Sequence, residues 1–177
     1  AGGMMDMSEC VYEQFDEKTC RITGAKFVPI EGKVKVKLEG SGKVGERYMG
    51  MAGIRDPYTI KNIDKVLDWA KSQVKERLGD KDYQLSYRIF GKNGVMGGLE
   101  PIKETKSHEL LVVVEGVADT PELAEEVTLI GMRQIFYARL PEVKGTAGTA
   151  AFVMDEVVEI SPAYTWTMDH TVEVDDP

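Results

Sequence analysis

Between Lys33 and Glu39 the chain alternates strictly between charged and apolar residues, Lys-Val-Lys-Val-Lys-Leu-Glu. Alternation with period two predicts a strand with one buried and one wet face. Residues 21–28 are strand-like as well, and Gly40-Ser41-Gly42-Lys43 reads as a turn before another strand over 45–54. Gly50 and Gly53 in that strand predict close backbone approach or a bulge.

The period then changes. Asp56-Pro57 is a helix start, with an N-cap acceptor followed by proline at the first helical position. Ile60, Ile63, Val66, Leu67, Ala70, Val74 and Leu78 recur at spacings of three and four, one apolar helical face. Trp69 sits at its border, and Gly79 ends it. Residues 83–90 alternate again, with Tyr83, Leu85, Tyr87 and Ile89 on one side. After a long glycine-rich connection, Leu110 to Val114 form a continuous apolar run that fits a central strand. Thr120-Pro121 begins a second helix, with Glu122, Glu125 and Glu126 near its positive end, running to about Leu140 and stopping at Pro141. A second connection, Lys144 to Thr149, precedes a closing strand over 163–174. That strand carries Tyr164, Trp166, Met168, His170 and Val172 on one face.

From residue 45 onward the order is β-α-β-β-α-β, which predicts an α+β, ferredoxin-like βαββαβ sandwich. Residues 1–44 would be a β-rich N-terminal extension and residues 45–177 the domain proper. In this arrangement one sheet edge collects Ile54-Arg55-Asp56, the Gly91–His108 connection and the Lys144–Thr149 loop. Loops held by a rigid sheet are where binding groups usually sit.

Composition narrows the setting. Apolar residues are 42% of the 177, enough for a substantial core. A net charge of −8, a pI near 4.9 and the lack of a basic stripe argue against binding to nucleic acid or an anionic membrane. No apolar run approaches the roughly 20 residues that span a bilayer. The opening lacks the basic and apolar regions of a signal peptide, and its Gly-Gly reads like a linker or a break within a longer chain. A disulfide between Cys10 and Cys20 is sterically possible, but two cysteines in a chain this size read as reduced thiols in a cytosolic protein. With His108 and His170 as the two histidines there are too few ligands for a structural zinc, and two cysteines cannot hold a usual iron–sulfur cluster. The sequence names no cofactor.

Candidate chemistry falls on the connections. Gly91, Gly94, Gly97 and Gly98, with Lys92 and Asn93, allow positive φ and exposed N–H groups for a carboxylate or phosphate. The alternative is a long hairpin loop that merely needs its glycines. The spacing is neither a P-loop nor a dinucleotide fingerprint. Arg55 would grip an anion at a helix N-terminus, or pair with Asp56. His108 is a candidate general acid or base, with Glu100 as a second proton-transfer group, against a solvated or structural role. Lys144, Thr146 and Gly148 would bind substrate from the second loop. His170 reads as packed, and the methionines, Met49, Met51 and Met132 among them, as core filler. Ser, Cys and Thr show no nucleophile elbow or triad spacing.

Gly53-Ile54-Arg55-Asp56-Pro57, Gly91-Lys92-Asn93-Gly94-Val95-Met96-Gly97, His108-Glu109-Leu110, Thr146-Ala147-Gly148 and Val174-Asp175-Asp176-Pro177 together resemble the C-terminal portion of acyclic terpene utilisation AtuA-like proteins. The resemblance runs along most of the chain. It implies an N-terminal AtuA-like domain or companion subunit as partner, an oligomer, a cytoplasmic setting, and a small carboxylate or acyl-CoA thioester as ligand. Hydration, elimination or isomerisation would suit Arg55, Glu100 and His108, since these reactions need an anion clamp and proton transfer. The competing expectation is a non-catalytic assembly or small-molecule-binding domain.

Overall fold

The computed structural model describes residues 2–29, 32–138, 140–141 and 150–175. Its strands are β1 (Gly3–Asp6), β2 (Val11–Gln14), β3 (Cys20–Thr23), β4 (Lys26–Pro29), β5 (Lys33–Ile54), β6 (Tyr83–Phe90), β7 (Leu110–Ala118), β8 (Ala151–Phe152) and β9 (Val158–Asp175). Its helices are α1 (Pro57–Lys61), α2 (Ile63–Leu78) and α3 (Pro121–Tyr137), with a single 3₁₀ turn at Gly97–Leu99. The chain divides into two units, Ala1–Gly42 with Trp166–Pro177, and Lys43–Thr165. We call them the ribbon unit and the helix-backed unit.

The helix-backed unit is built on a sheet in the order β6-β7-β5-β8, and β9 also pairs with β5. The β6–β7, β7–β5 and β5–β8 pairs are antiparallel; Ile54 stands opposite Leu110 and Tyr83 opposite Ala118. The predicted α2 face is the one that is buried: Ile63, Val66, Leu67, Ala70, Val74 and Leu78. Ile63, Val66, Leu67 and Ala70 meet Val112 and Val114 of β7 and Met132 and Ile135 of α3 in one core, while Val74 and Leu78 pack with Val127 in a second cluster. In β7 the apolar run is shared between two faces, since Leu110, Val112 and Val114 are buried while Leu111 and Val113 are half-buried. The same core explains Gly50, where a β-carbon would lie 2.7 Å from Sδ of Met132. Gly53 meets nothing closer than 3.7 Å, so no close approach requires glycine there.

Both helix starts follow the sequence. Asp56 Oδ2 accepts from Thr59 N and from Thr59 Oγ1, each at 2.7 Å. Thr120 Oγ1 accepts from Leu123 N, with Pro121 in the first turn. The first helix is interrupted at Asn62, whose backbone leaves the helical region at φ −111° and whose Nδ2 donates to Tyr58 O. Gly79, at φ 63°, closes α2. The second helix ends at Tyr137, before Leu140, because Ala138 turns extended.

The ferredoxin-like βαββαβ sandwich does not describe this chain. Strand outweighs helix, and the strands belong to several sheets. The expected Gly40-Ser41-Gly42-Lys43 turn is the middle of β5, which runs unbroken for 22 residues. Neither Gly40 nor Gly42 has a positive φ. Their missing side chains serve the neighbouring strand instead: a β-carbon at Gly40 would lie 3.2 Å from Cβ of Met168, and one at Gly42 2.9 Å from Cγ2 of Thr167. The closing strand is longer than expected and begins at Val158, and its residues from Trp166 onward belong to the ribbon unit. A two-residue strand, β8, takes the sheet position beside β5.

In the ribbon unit β1 pairs with β4 and β2 with β3 as two-stranded antiparallel sheets. Residues 21–28 are two strands, split at Gly24 with φ 87°. His170 is exposed, not packed. Of the methionines Met132 is fully buried, while Met4, Met5, Met7, Met96 and Met168 are exposed. Cys10 and Cys20 are both free thiols.

Candidate functional site

A cleft of about 550 Å³ opens in the helix-backed unit. Its walls come from four short stretches. The end of β5 brings Arg55, and α1 brings Pro57, Ile60 and Lys61. The first turn of α2 adds Asp64. The two ends of the β6–β7 connection add Lys92, then Lys103, Glu104, Thr105, Ser107 and His108. Those two ends are tied together: Ser107 Oγ donates to Gly91 O at 2.7 Å. Gly91 itself has φ 92°, and a β-carbon there would lie 2.9 Å from Glu109 O, so the closure needs glycine.

The cleft concentrates positive charge in an acidic chain. Arg55, Lys61, Lys92 and Lys103 face Asp64 and Glu104. Two of the cations are already engaged. Lys92 Nζ is 2.5 Å from Asp64 Oδ2, with Lys92 only 18% exposed and Asp64 71% exposed. Lys103 Nζ donates to the Glu100 carbonyl. Glu104 turns toward Lys106, at 3.7 Å. Arg55 and Lys61 have no ion pair or side-chain hydrogen bond among the described residues. Asp56 is engaged as the α1 cap and forms no ion pair with Arg55 among the described residues. Pro57 and the buried Ile60 supply an apolar wall. A wall of this kind beside two free cations accepts an anion with a hydrocarbon body.

The sequence-predicted residues separate here. Arg55, Lys92 and His108 meet in the cleft. His108 lies at its rim with a side chain 79% exposed, 3.9 Å from Glu109. Glu100 lines no wall of this cleft; its Oε1 accepts from Ile102 N at 3.0 Å. Asn93, Gly94, Gly97 and Gly98 border a different hollow, of about 480 Å³, with Tyr87 and Arg88.

The glycine loop also uses its N–H groups internally. Lys92, Asn93 and Gly94 all donate to Ile89 O, at 3.2, 3.0 and 2.8 Å, and Gly97 donates to Asn93 O at 2.7 Å. Those donors fold the loop and are not free for an anion. Lys144, Thr146 and Gly148 lie outside the described residues. Among the described residues no cluster of His, Cys, Asp or Glu has the makings of a metal site.

Sequence reasoning missed Lys61, Asp64, Lys103 and Ser107. Lys61 and Asp64 lay within a helix read only for its apolar face. The run Lys103-Glu104-Thr105-Lys106-Ser107-His108 was the available signal, a dense polar cluster directly before a central strand.

Residues 2–175 match the family model described as acyclic terpene utilisation family protein AtuA, nearly the whole chain. The chain belongs to this family. No curated protein matches it, and no solved structure does. Among the described residues, no helix is long and apolar enough to cross a membrane.

Proposed function

We propose that the helix-backed unit binds the carboxylate of a small organic acid, or the anionic part of its CoA thioester, in the cytoplasm within a catabolic AtuA-family enzyme. The observation that carries this reading is the pair Arg55 and Lys61, without an ion pair among the described residues, beside the apolar wall of Pro57 and Ile60. Arg55 takes the anion, Lys61 adds charge, and the hydrocarbon body lies on Ile60. An N-terminal AtuA-like domain or companion subunit completes the site. His108 at the rim is placed to move a proton to or from the bound acid in a hydration, elimination or isomerisation step.

Calorimetric titration with a short branched carboxylate tests the binding. Removing one charge-assisted contact costs about 1.5–3 kcal/mol, so Arg55→Ala weakens binding by roughly ten- to a hundredfold. Equal affinity in Arg55→Ala and the parent chain would overturn the proposal. The catalytic part has its own test, in which His108→Ala in the complete assembly lowers turnover while the affinity stays put.

A second reading is a small-molecule-binding domain without catalysis. It is favoured by the exposure of His108 and by the position of Glu100, which does not line the cleft that His108 borders. It predicts carboxylate binding by the chain with no effect of His108→Ala on turnover of the assembly.

A further inference from the structure

The ribbon unit is surface without interior. None of its described residues is buried, from Gly2 to Gly42 or from Trp166 to Asp175. Among the described residues, more than half of the large apolar side chains left exposed lie in it. Two-stranded ribbons are marginal alone in water, and segments too small for a core rely on oligomerisation or a comparable brace.

The two long strands show what kind of brace is needed. In β5, Lys35 and Lys37 alternate with Val36 and Leu38. Lys35 pairs with Glu173 of β9 and Lys37 with Asp169. Two lysines of one ribbon face are thus paired with carboxylates of the neighbouring strand. The alternation puts Val36, Leu38, Trp166, Met168 and Val174 on the opposite face. This face is bare: Trp166 is 71% exposed and Met168 45%. Apart from His170 it presents no ionisable group.

We propose that a second copy of this chain covers this face, ribbon against ribbon about a two-fold axis. A two-fold interface must be self-complementary, and a plain apolar strip is complementary to itself. A charged partner would find little to recognise, because this face carries no lysine, arginine or carboxylate. Covering the strip on both copies removes on the order of 1,000 Å² of surface, the size at which a specific interface begins. Exposed apolar patches on monomers seldom exceed a few hundred Å².

Light scattering on the full chain after size exclusion gives the mass directly. The expected result is a dimer at about 100 micromolar and a monomer for Leu38→Glu/Trp166→Glu, with helical circular dichroism retained. A monomeric parent chain overturns the proposal, as does a double variant that stays dimeric. Should the double variant fail to fold, Trp166→Ala decides: a dimer dissociation constant raised about tenfold or more supports the interface, and an unchanged one overturns it.

Discussion

The two units use the same sequence device with opposite results. In the helix-backed unit, alternating strands meet two amphipathic helices, and Ile54, Val112, Val114 and Ile135 lose all but a trace of their exposure. In the ribbon unit, Val36 and Leu38 alternate just as regularly and stay 38% exposed. Alternation predicts which face is apolar. It does not say that anything covers that face, which depends on a helix being delivered to it. The chain sends α2 and α3 to the sheet of the helix-backed unit and, among the described residues, no helix to the ribbon unit.

Core truncation separates the units most sharply. Ile135→Ala removes a fully buried side chain and is expected to cost about 2–5 kcal/mol in chemical denaturation. Leu38→Ala, on an exposed strand, should cost under about 0.5 kcal/mol when measured at dilution low enough to separate any dimer. Equal losses would erase the distinction between a cored and an uncored unit.

The next effect is confined to the cleft. Lys61→Ala should weaken carboxylate binding less than Arg55→Ala, about three- to tenfold, because lysine offers a point charge where arginine offers a fork. Asp64→Asn should act in the opposite direction. Asp64 occupies Lys92 as a resident anion, and releasing Lys92 to the ligand is expected to tighten binding several-fold. Tightening that disappears in Asp64→Asn/Lys92→Met would tie the gain to Lys92. No tightening at all would mean that Lys92 serves only to hold α2 against the loop.

The smallest effect concerns pH and the packing of β6 on α3. Burial pushes the Tyr87 phenol well above its ordinary value, and its hydroxyl donates to Gly131 O at 3.2 Å. A group whose pKa is raised in the fold gives stability that is complete below its unfolded pKa and is lost as pH rises above it. Alkaline loss of stability should therefore begin above about pH 10. Tyr87→Phe should flatten that limb by removing the ionising hydroxyl. An unaltered alkaline limb would show that Tyr87 does not contribute to it.

Local chemistry was the legible part of the sequence. Asp56-Pro57 and Thr120-Pro121 gave true helix starts, since the caps need only residues three positions away. The buried face of α2 followed from its spacing. The glycines were harder, because glycine serves unlike purposes. At Gly24 and Gly91 it supplies positive φ, at Gly50 it makes room for Met132, and at Gly40 and Gly42 it admits a neighbouring strand in extended backbone. Reading Gly40 to Lys43 as a turn cut β5 in two and led to the wrong architecture. Which role a glycine has depends on residues more than a hundred positions away, Thr167 and Met168 here, and no local window contains them.

The site was legible to a similar degree. Arg55, Lys92 and His108 do converge, as loops at one sheet edge should. The glycine loop was expected to offer N–H groups, but a tight turn spends those of Lys92, Asn93 and Gly94 on Ile89 O and that of Gly97 on Asn93 O. Glycine-rich spacing alone does not distinguish a loop that receives an anion from one that folds on itself.

The central claim is that a carboxylate sits between Arg55 and Lys61 against Ile60. Amide chemical shifts of the labelled chain, followed as a short branched carboxylate is added, test it directly. Saturable shifts are expected at Arg55, Ile60, Lys61, Asp64 and Lys92, with Gly97 and Gly98 unmoved. Shifts centred on Gly97 and Gly98, or no saturable change anywhere, would contradict it.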